Sequence, residues 1–144
     1  MNKLELKQNL EINYPHTEAR LKRIECIYIP VTNAELAKHF FMKYGLITLS
    51  TQGNVKLASG QGIFFLETTV KQTANFVTHD WDDQDEHYVM EAACFEVTQI
   101  NELYQLMKED GAKVSELKDN SGCGWSFHFF DPDGNKFAAW QDVN

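Results

Sequence analysis

Cysteine is scarce in this chain. Cys26, Cys94 and Cys123 make an odd set, and no Cys-x-x-Cys pair occurs among them. That argues against a disulfide framework and fits a reducing, cytoplasmic compartment. Long apolar runs are missing as well. No stretch approaches the about eighteen apolar residues of a spanning helix, so no membrane is expected as partner. The opening MNKLELKQNL has no hydrophobic region of the kind a secretion signal carries. Positive charge is also in short supply: 13 Lys and Arg against 21 Asp and Glu leave a net charge of −8. Nucleic-acid binding depends on Lys and Arg neutralising phosphates, so no nucleic acid is expected as partner. A cationic small molecule remains compatible with this balance.

What is present suits a single domain. A chain of 144 residues with 43% apolar and 24% charged residues buries roughly two-thirds of its unfolded surface. Two segments of it share one layout. Ile24–Val31 is a strand-like run, and Asn33–Tyr44 places Leu36, Phe40, Phe41 and Tyr44 at helical spacing before Gly45. Val89–Val97 is strand-like again, and Gln99–Asp110 places Ile100, Leu103 and Met107 on one face before Gly111. Thr32 or Asn33, and Thr98, stand where helix N-caps belong; both glycines stand where a left-handed residue ends a helix. Val31 and Val97 are 66 residues apart, as are Gly45 and Gly111.

Three short strand candidates follow each helix. They are Leu46–Ser50, Val55–Ala58 and Gly62–Thr68, then Ala112–Leu117, Trp125–Phe130 and Lys136–Gln141. The final strands align without gaps, Ser59–Leu66 against Asp133–Trp140. The expected fold is α+β, built of two βαβββ repeats over about residues 24–68 and 89–141. Residues 1–23 precede it, with Leu4/Leu6 and Leu10/Ile12/Tyr14 alternating as an edge strand, an arm or a tail. An acidic stretch, His79–His87, lies between the repeats and reads as a solvated loop; its spacing lacks the glycine a calcium loop needs.

The last hairpin is the most specific motif. Phe127-His128-Phe129-Phe130 runs into Asp131-Pro132-Asp133-Gly134-Asn135 and out into Lys136-Phe137. Pro132 presets φ for the second turn position, and Gly134 supplies the positive φ of a tight reversal. The duplicated βαβββ plan with this hairpin resembles the vicinal-oxygen-chelate superfamily. That group includes glyoxalase I, extradiol dioxygenases, fosfomycin-resistance transferases and bleomycin-resistance proteins. The resemblance covers about residues 24–141 and implies paired modules forming a cup-shaped mixed sheet with helices outside.

In the metal-dependent relatives, one ligand comes from each of four strands lining the cup. The resemblance maps those positions to Cys26, Phe64, Ala92 and Ala138, and the internal repeat pairs 26 with 92 and 64 with 138. Strand alternation then gives a lining of Ile24, Cys26, Tyr28, Phe64, Leu66, Met90, Ala92, Cys94, Glu96, Ala138 and Trp140. The opposite set, with Ile27, Ile29, Val31, Ala93, Phe95, Val97 and Phe137, should pack under the helices. Phenylalanine and two alanines donate nothing to a cation, and one thiolate cannot hold a catalytic metal. The expectation is a metal-free branch with no cofactor, without the Lewis-acid chemistry of glyoxalase I, ring cleavage or fosfomycin opening.

His128 is the leading titratable candidate. Fosfomycin-resistance transferases turn the residue three before the turn aspartate toward the ligand, and here that is His128. Ser126 and Phe130 then face the same way. His128 serves as acid–base group or as a structural histidine, and Glu96 is the second catalytic candidate on the same face. Among Trp140, Phe64 and Tyr28, its imidazolium should be disfavoured. Tyr28 and Trp140 offer aromatic walls to a planar or cationic ligand. Three functions stay open: a homodimeric small-molecule binder like the bleomycin-resistance proteins, a metal-independent isomerase or lyase using His128, and a regulatory domain without chemistry.

Overall fold

The computed structural model describes residues 2–3, 15–49, 53–79 and 87–143. The alternating apolar residues between 4 and 14, and the acidic stretch 80–86, lie outside the described residues. Residues 15–23 are exposed and form neither helix nor strand.

The first half runs β1 (Cys26–Val31), α1 (Ala34–Lys43), β2 (Thr48–Leu49), β3 (Val55–Lys56) and β4 (Gly62–Glu67). A ribbon of β5 (Val77–Thr78) and β6 (Tyr88–Val89) follows. The second half runs β7 (Cys94–Glu96), α2 (Ile100–Glu109), β8 (Lys118–Asp119), β9 (Gly124–Phe130) and β10 (Lys136–Asp142). Each half makes its own four-stranded mixed sheet, in order β1-β4-β3-β2 and β7-β10-β9-β8. The first strand of each half pairs parallel with the last, and the remaining neighbours are antiparallel.

Strand alternation sends Ile29, Val31, Ile63, Phe65, Phe127, Phe129, Phe137 and Ala139 to the helix side, where all are buried. They join Phe40 and Phe41 of α1 and Ile100, Leu103 and Met107 of α2 in one core. Phe41 sits between the halves, with ring centroids 5.3 Å from Phe65, 5.6 Å from Phe137 and 6.3 Å from Phe129.

Asn33 caps α1 as expected: extended in backbone, it accepts the Leu36 N–H at 3.0 Å. Thr98 does not cap α2. Gln99 precedes that helix in the left-handed region at φ 53° and its side chain makes no cap. The Ile100 N–H instead donates to Gln141 Oε1 at 2.7 Å, as the Ala34 N–H donates to Glu67 Oε1 at 2.9 Å. Glu67 and Gln141 are equivalent in the repeat, so each sheet's last strand caps its own helix.

Several strands are shorter than the sequence suggests, two of them markedly. The run Val89–Val97 is broken because Met90 N donates to Phe76 O and Asn75 Nδ2 to Met90 O, which ties its start to the ribbon. Ala112–Leu117 is reduced to one bridge, Val114 with Phe129. There the Ser115 hydroxyl takes the His128 N–H at 2.8 Å in place of a ladder carbonyl, and β8 forms later.

The Asp131–Asn135 turn locks the halves together. Asp131 Oδ1 accepts from Asp133 N at 3.0 Å and Asn135 N at 2.8 Å, and Gly134 has φ 88°. Asn135, wholly buried, donates through Nδ2 to Pro30 O at 2.9 Å and accepts the Ala74 N–H at 2.8 Å. Asp133 Oδ1 accepts the Thr32 N–H at 3.1 Å.

Candidate functional site

The register of the second sheet puts Ser126 opposite Trp140, His128 opposite Ala138 and Phe130 opposite Lys136. Cys94 and Glu96 pair with Ala138 and Trp140 on the other side. This face, away from the core, therefore carries Cys94, Glu96, Ser126, His128, Ala138 and Trp140 together. Met90 and Ala92 lie off the strands, in the segment from β6 to β7. Cys26, Tyr28, Phe64 and Leu66 share the corresponding face of the first sheet, where Tyr28, Phe64 and Leu66 are 68%, 52% and 49% exposed. Tyr28 and Phe64 pack ring to ring at 5.9 Å. The expected lining is thus divided between two sheets, and no strand pairing joins them among the described residues.

His128 meets a group the sequence did not offer. Its Nε2 lies 2.6 Å from Glu91 Oε1, and the Glu91 side chain is only 8% exposed. The same oxygen accepts from the Tyr88 hydroxyl and stands 3.7 Å from Lys136 Nζ. Lys136 Nζ donates to Val89 O at 2.7 Å and lies 4.1 Å from the centre of the Tyr88 ring. Asn75 clamps this segment to β10, donating to Met90 O and Lys136 O and accepting the Lys136 N–H. Tyr28 and Phe64 belong to the other sheet and are not the partners of His128. Glu96, expected beside it, is exposed opposite Trp140 and makes no ion pair with it.

Burial alone pushes the Glu91 carboxyl up, but the Tyr88 hydroxyl, its own backbone and the nearby His128 and Lys136 charges hold it below the usual carboxylate range. Burial pushes the His128 imidazolium pKa down; Glu91 pulls it the other way, and Lys136 and Lys118 add to the fall. At neutral pH the imidazole is therefore uncharged and donates its Nε2–H to an ionised Glu91. That fixes the tautomer and leaves Nδ1 with its lone pair. Burial and the Glu91 charge also push the Cys94 thiol up, so it stays protonated. Both lowered groups act in one direction on stability: their contributions are present above the unfolded pKa values and lost as pH falls through the folded ones.

The opposing charges give a separable test. Lys136→Met should raise the His128 pKa and Glu91→Gln should lower it, as read by NMR titration of the imidazole C–H resonances. Shifts of the same sign in both variants would refute this arrangement.

Trp140 completes the face. Its Nε1 donates to Asp142 Oδ1 at 2.7 Å, and its ring lies so close over Gly124 that an added Cβ there would stand 2.5 Å from Cζ2. A divalent ion does not fit the four mapped positions. Phe64, Ala92 and Ala138 have no donor atoms, and no group of three or more His, Cys, Asp or Glu converges among the described residues. Glu91, next to Ala92 in the chain, already accepts from the Tyr88 hydroxyl and the His128 Nε2–H on one oxygen, with the Lys136 ammonium 3.7 Å away.

Solved structures share this architecture along nearly their whole length. A glyoxalase/dioxygenase from Nostoc punctiforme aligns at TM-score 0.64 and 12% identity, over 92% of this chain and 99% of that one. The chain has the vicinal-oxygen-chelate fold. TnmS3, an antibiotic binding protein from Streptomyces sp. CB03234, aligns at TM-score 0.61 and 16% identity, over 87% and 99%. FosX, a fosfomycin resistance protein from Listeria monocytogenes, aligns at TM-score 0.61 and 15% identity, over 84% and 93%. No protein-family model matches the sequence, and no curated protein is similar to it. Within this vicinal-oxygen-chelate fold, the sequence singled out His128 as a candidate but not Glu91, Lys136, Tyr88 and Asn75, which the structure gathers around it. The signal available was Lys136, a charged residue that opens the apolar run Phe137–Trp140 with the same parity as Ala138 and Trp140, where a buried ammonium demands a partner.

Proposed function

We propose that the chain binds a small organic molecule, without a metal, against the face of the second sheet that carries His128. The observation behind this reading is the Glu91–His128 pair: a buried carboxylate orients a neutral imidazole and leaves Nδ1 to accept a proton or a hydrogen bond. Lys118 and Lys136 stand near the same ring, so the ligand group it meets is an acidic O–H or N–H rather than a cation. Similarity in fold to an antibiotic binding protein and to a fosfomycin resistance protein supports a small-molecule ligand. The exposed Tyr28, Phe64 and Leu66 support a homodimer in which the first sheet of one copy walls the site of the other. No helix among the described residues is long and apolar enough to cross a membrane.

A second reading, metal-independent proton transfer by an isomerase or lyase, is favoured by the same pair. A lowered imidazole pKa with a carboxylate behind it is the arrangement of a general base. One set of measurements tests both. Native mass spectrometry of freshly purified protein is expected to give a dimer carrying an organic adduct and no stoichiometric metal. His128→Ala and His128→Gln should each weaken the affinity for that adduct, and both should abolish turnover if His128 is the base. About one Zn, Ni, Mn or Fe per chain would overturn the metal-free reading. Unchanged affinity and turnover in both variants, with a lowered melting temperature, would make His128 structural.

A further inference from the structure

The two halves dock on each other unequally. The Asp131–Asn135 turn of the second half reaches the end of β1 through Asn135 Nδ2 to Pro30 O and Thr32 N to Asp133 Oδ1. The repeat maps those residues onto the first half. Leu57, Ser59 and Gln61 correspond to Asp131, Asp133 and Asn135, and Glu96 and Thr98 correspond to Pro30 and Thr32. The reciprocal bonds are not made. Gln61 turns back onto its own hairpin, where its Oε1 accepts the Ser59 hydroxyl at 3.3 Å. Val97 N donates to Trp140 O and Ala93 O accepts from Ala138 N, so alternation points the Glu96 N–H and C=O away from β10. The Glu96 carbonyl and the Thr98 N–H have no protein partner among the described residues.

A groove of about 810 Å³ opens between the 57–61 hairpin and residues 94–99, the junction equivalent to the one that the Asp131–Asn135 turn bridges in the other half. That is the size of a small-molecule site. Leu46, Leu57, Leu103 and Leu106 give it apolar walls, and His128 is not among its lining residues. It continues inward to a small apolar recess against Phe41, Phe95 and Phe129. The exposed carboxylates Glu96 and Glu102 stand at its edge.

We propose that this groove, which shares Cys94 and Glu96 with the His128 face but does not include His128, is a second ligand site for an amphipathic ammonium compound that also carries a carbonyl oxygen. The ammonium takes the place of the Asn135 amide as donor to the Glu96 carbonyl, with Glu102 beside it. The carbonyl oxygen takes the place of the Asp133 carboxylate as acceptor from the Thr98 N–H. The apolar body rests on the leucine walls. Net charge −8 and the two carboxylates favour a cation here.

L-Phenylalaninamide has these three features, and N-acetyl-L-phenylalanine has the opposite charge. Titrating each into the full chain by two-dimensional NMR should shift the amides of 57–61 and 94–102 with the first compound only. Glu102→Gln should weaken binding about two- to five-fold, the discount appropriate to an exposed charge. Ser59→Trp, a change on an exposed hairpin that fills the groove mouth, should abolish binding while leaving the melting temperature within a few degrees. The proposal is overturned by any of four outcomes: no shifts at 10 mM, roughly the weak limit for such a fragment; shifts confined to residues 126–130 and 136–140; equal binding of the acetylated compound; or concentration-dependent shifts at 57–61 and 94–102 without ligand, which would make the groove an interface between two copies.

Discussion

Phe41→Ala is expected to destabilise the fold by about 3–5 kcal/mol, the range for deleting a fully buried phenyl ring. Phe41 is 1% exposed and contacts the rings of Phe40 and Phe65 in the first half and of Phe129 and Phe137 in the second. The cavity would open where the halves meet, so neither sheet can collapse onto it without moving the other. Urea denaturation followed by both tryptophan fluorescence and circular dichroism should give one transition at a lower midpoint. Leu36→Ala on the same helix removes a side chain that is 64% exposed, and it should cost within about 0.5 kcal/mol. A loss under about 1 kcal/mol for Phe41→Ala, or two separated transitions in the wild type, would contradict a shared core.

Asn135→Ala should be nearly as costly, at about 3–4 kcal/mol, although it removes only a small side chain. The amide holds together groups from three places in the chain: Pro30 O, the Ala74 N–H and Asp131 Oδ2. Alanine would leave these buried groups unpaired, at about 1–3 kcal/mol each before relaxation. At roughly 3 °C per kcal/mol for a chain of this size, the melting temperature should fall by about 10 °C. The pH profile should change too. Burial pushes the Asp131 carboxyl up, opposed by the Asn135 side-chain and backbone bonds. A raised folded pKa contributes stability that is present at low pH and lost as pH rises through it. Without the amide, Asp131 should rise further, so the variant should lose least at acid pH and most near neutrality. A loss independent of pH would show that Asp131 does not feel the amide.

Much of the fold was legible in the chain. The constant spacing of Val31 to Val97 and Gly45 to Gly111 marked the repeat, and the Asp131–Asn135 turn marked the last hairpin. Asn33 as a cap, and Phe127, Phe129 and Phe137 as core, follow from periods that any isolated segment carries. The failures share a cause. Thr98 looks like a cap, yet Gln141, 41 residues away along the chain, takes the Ile100 N–H. Val89–Val97 looks like one strand, yet Asn75 and Phe76 claim its start. In both cases a distant polar group outbid a local pattern.

The candidate site divides the same way. Strand alternation was enough to turn Ser126, His128, Ala138 and Trp140 to one face, because backbone pleat and sequence parity are the same fact. It could not choose the carboxylate. Glu96 has the right parity and stays exposed, whereas Glu91 lies off any strand and reaches His128 only because Asn75, Tyr88 and Lys136 hold its segment in place. The sequence by itself determined the repeated βαβββ plan, the facing of each strand and the lack of donor atoms at three of the four mapped positions. Only the tertiary structure decided which charge meets His128 and where the halves leave a groove. Those outcomes depend on hydrogen bonds between residues far apart in the chain, whose energies appear only once the backbone has brought them within reach.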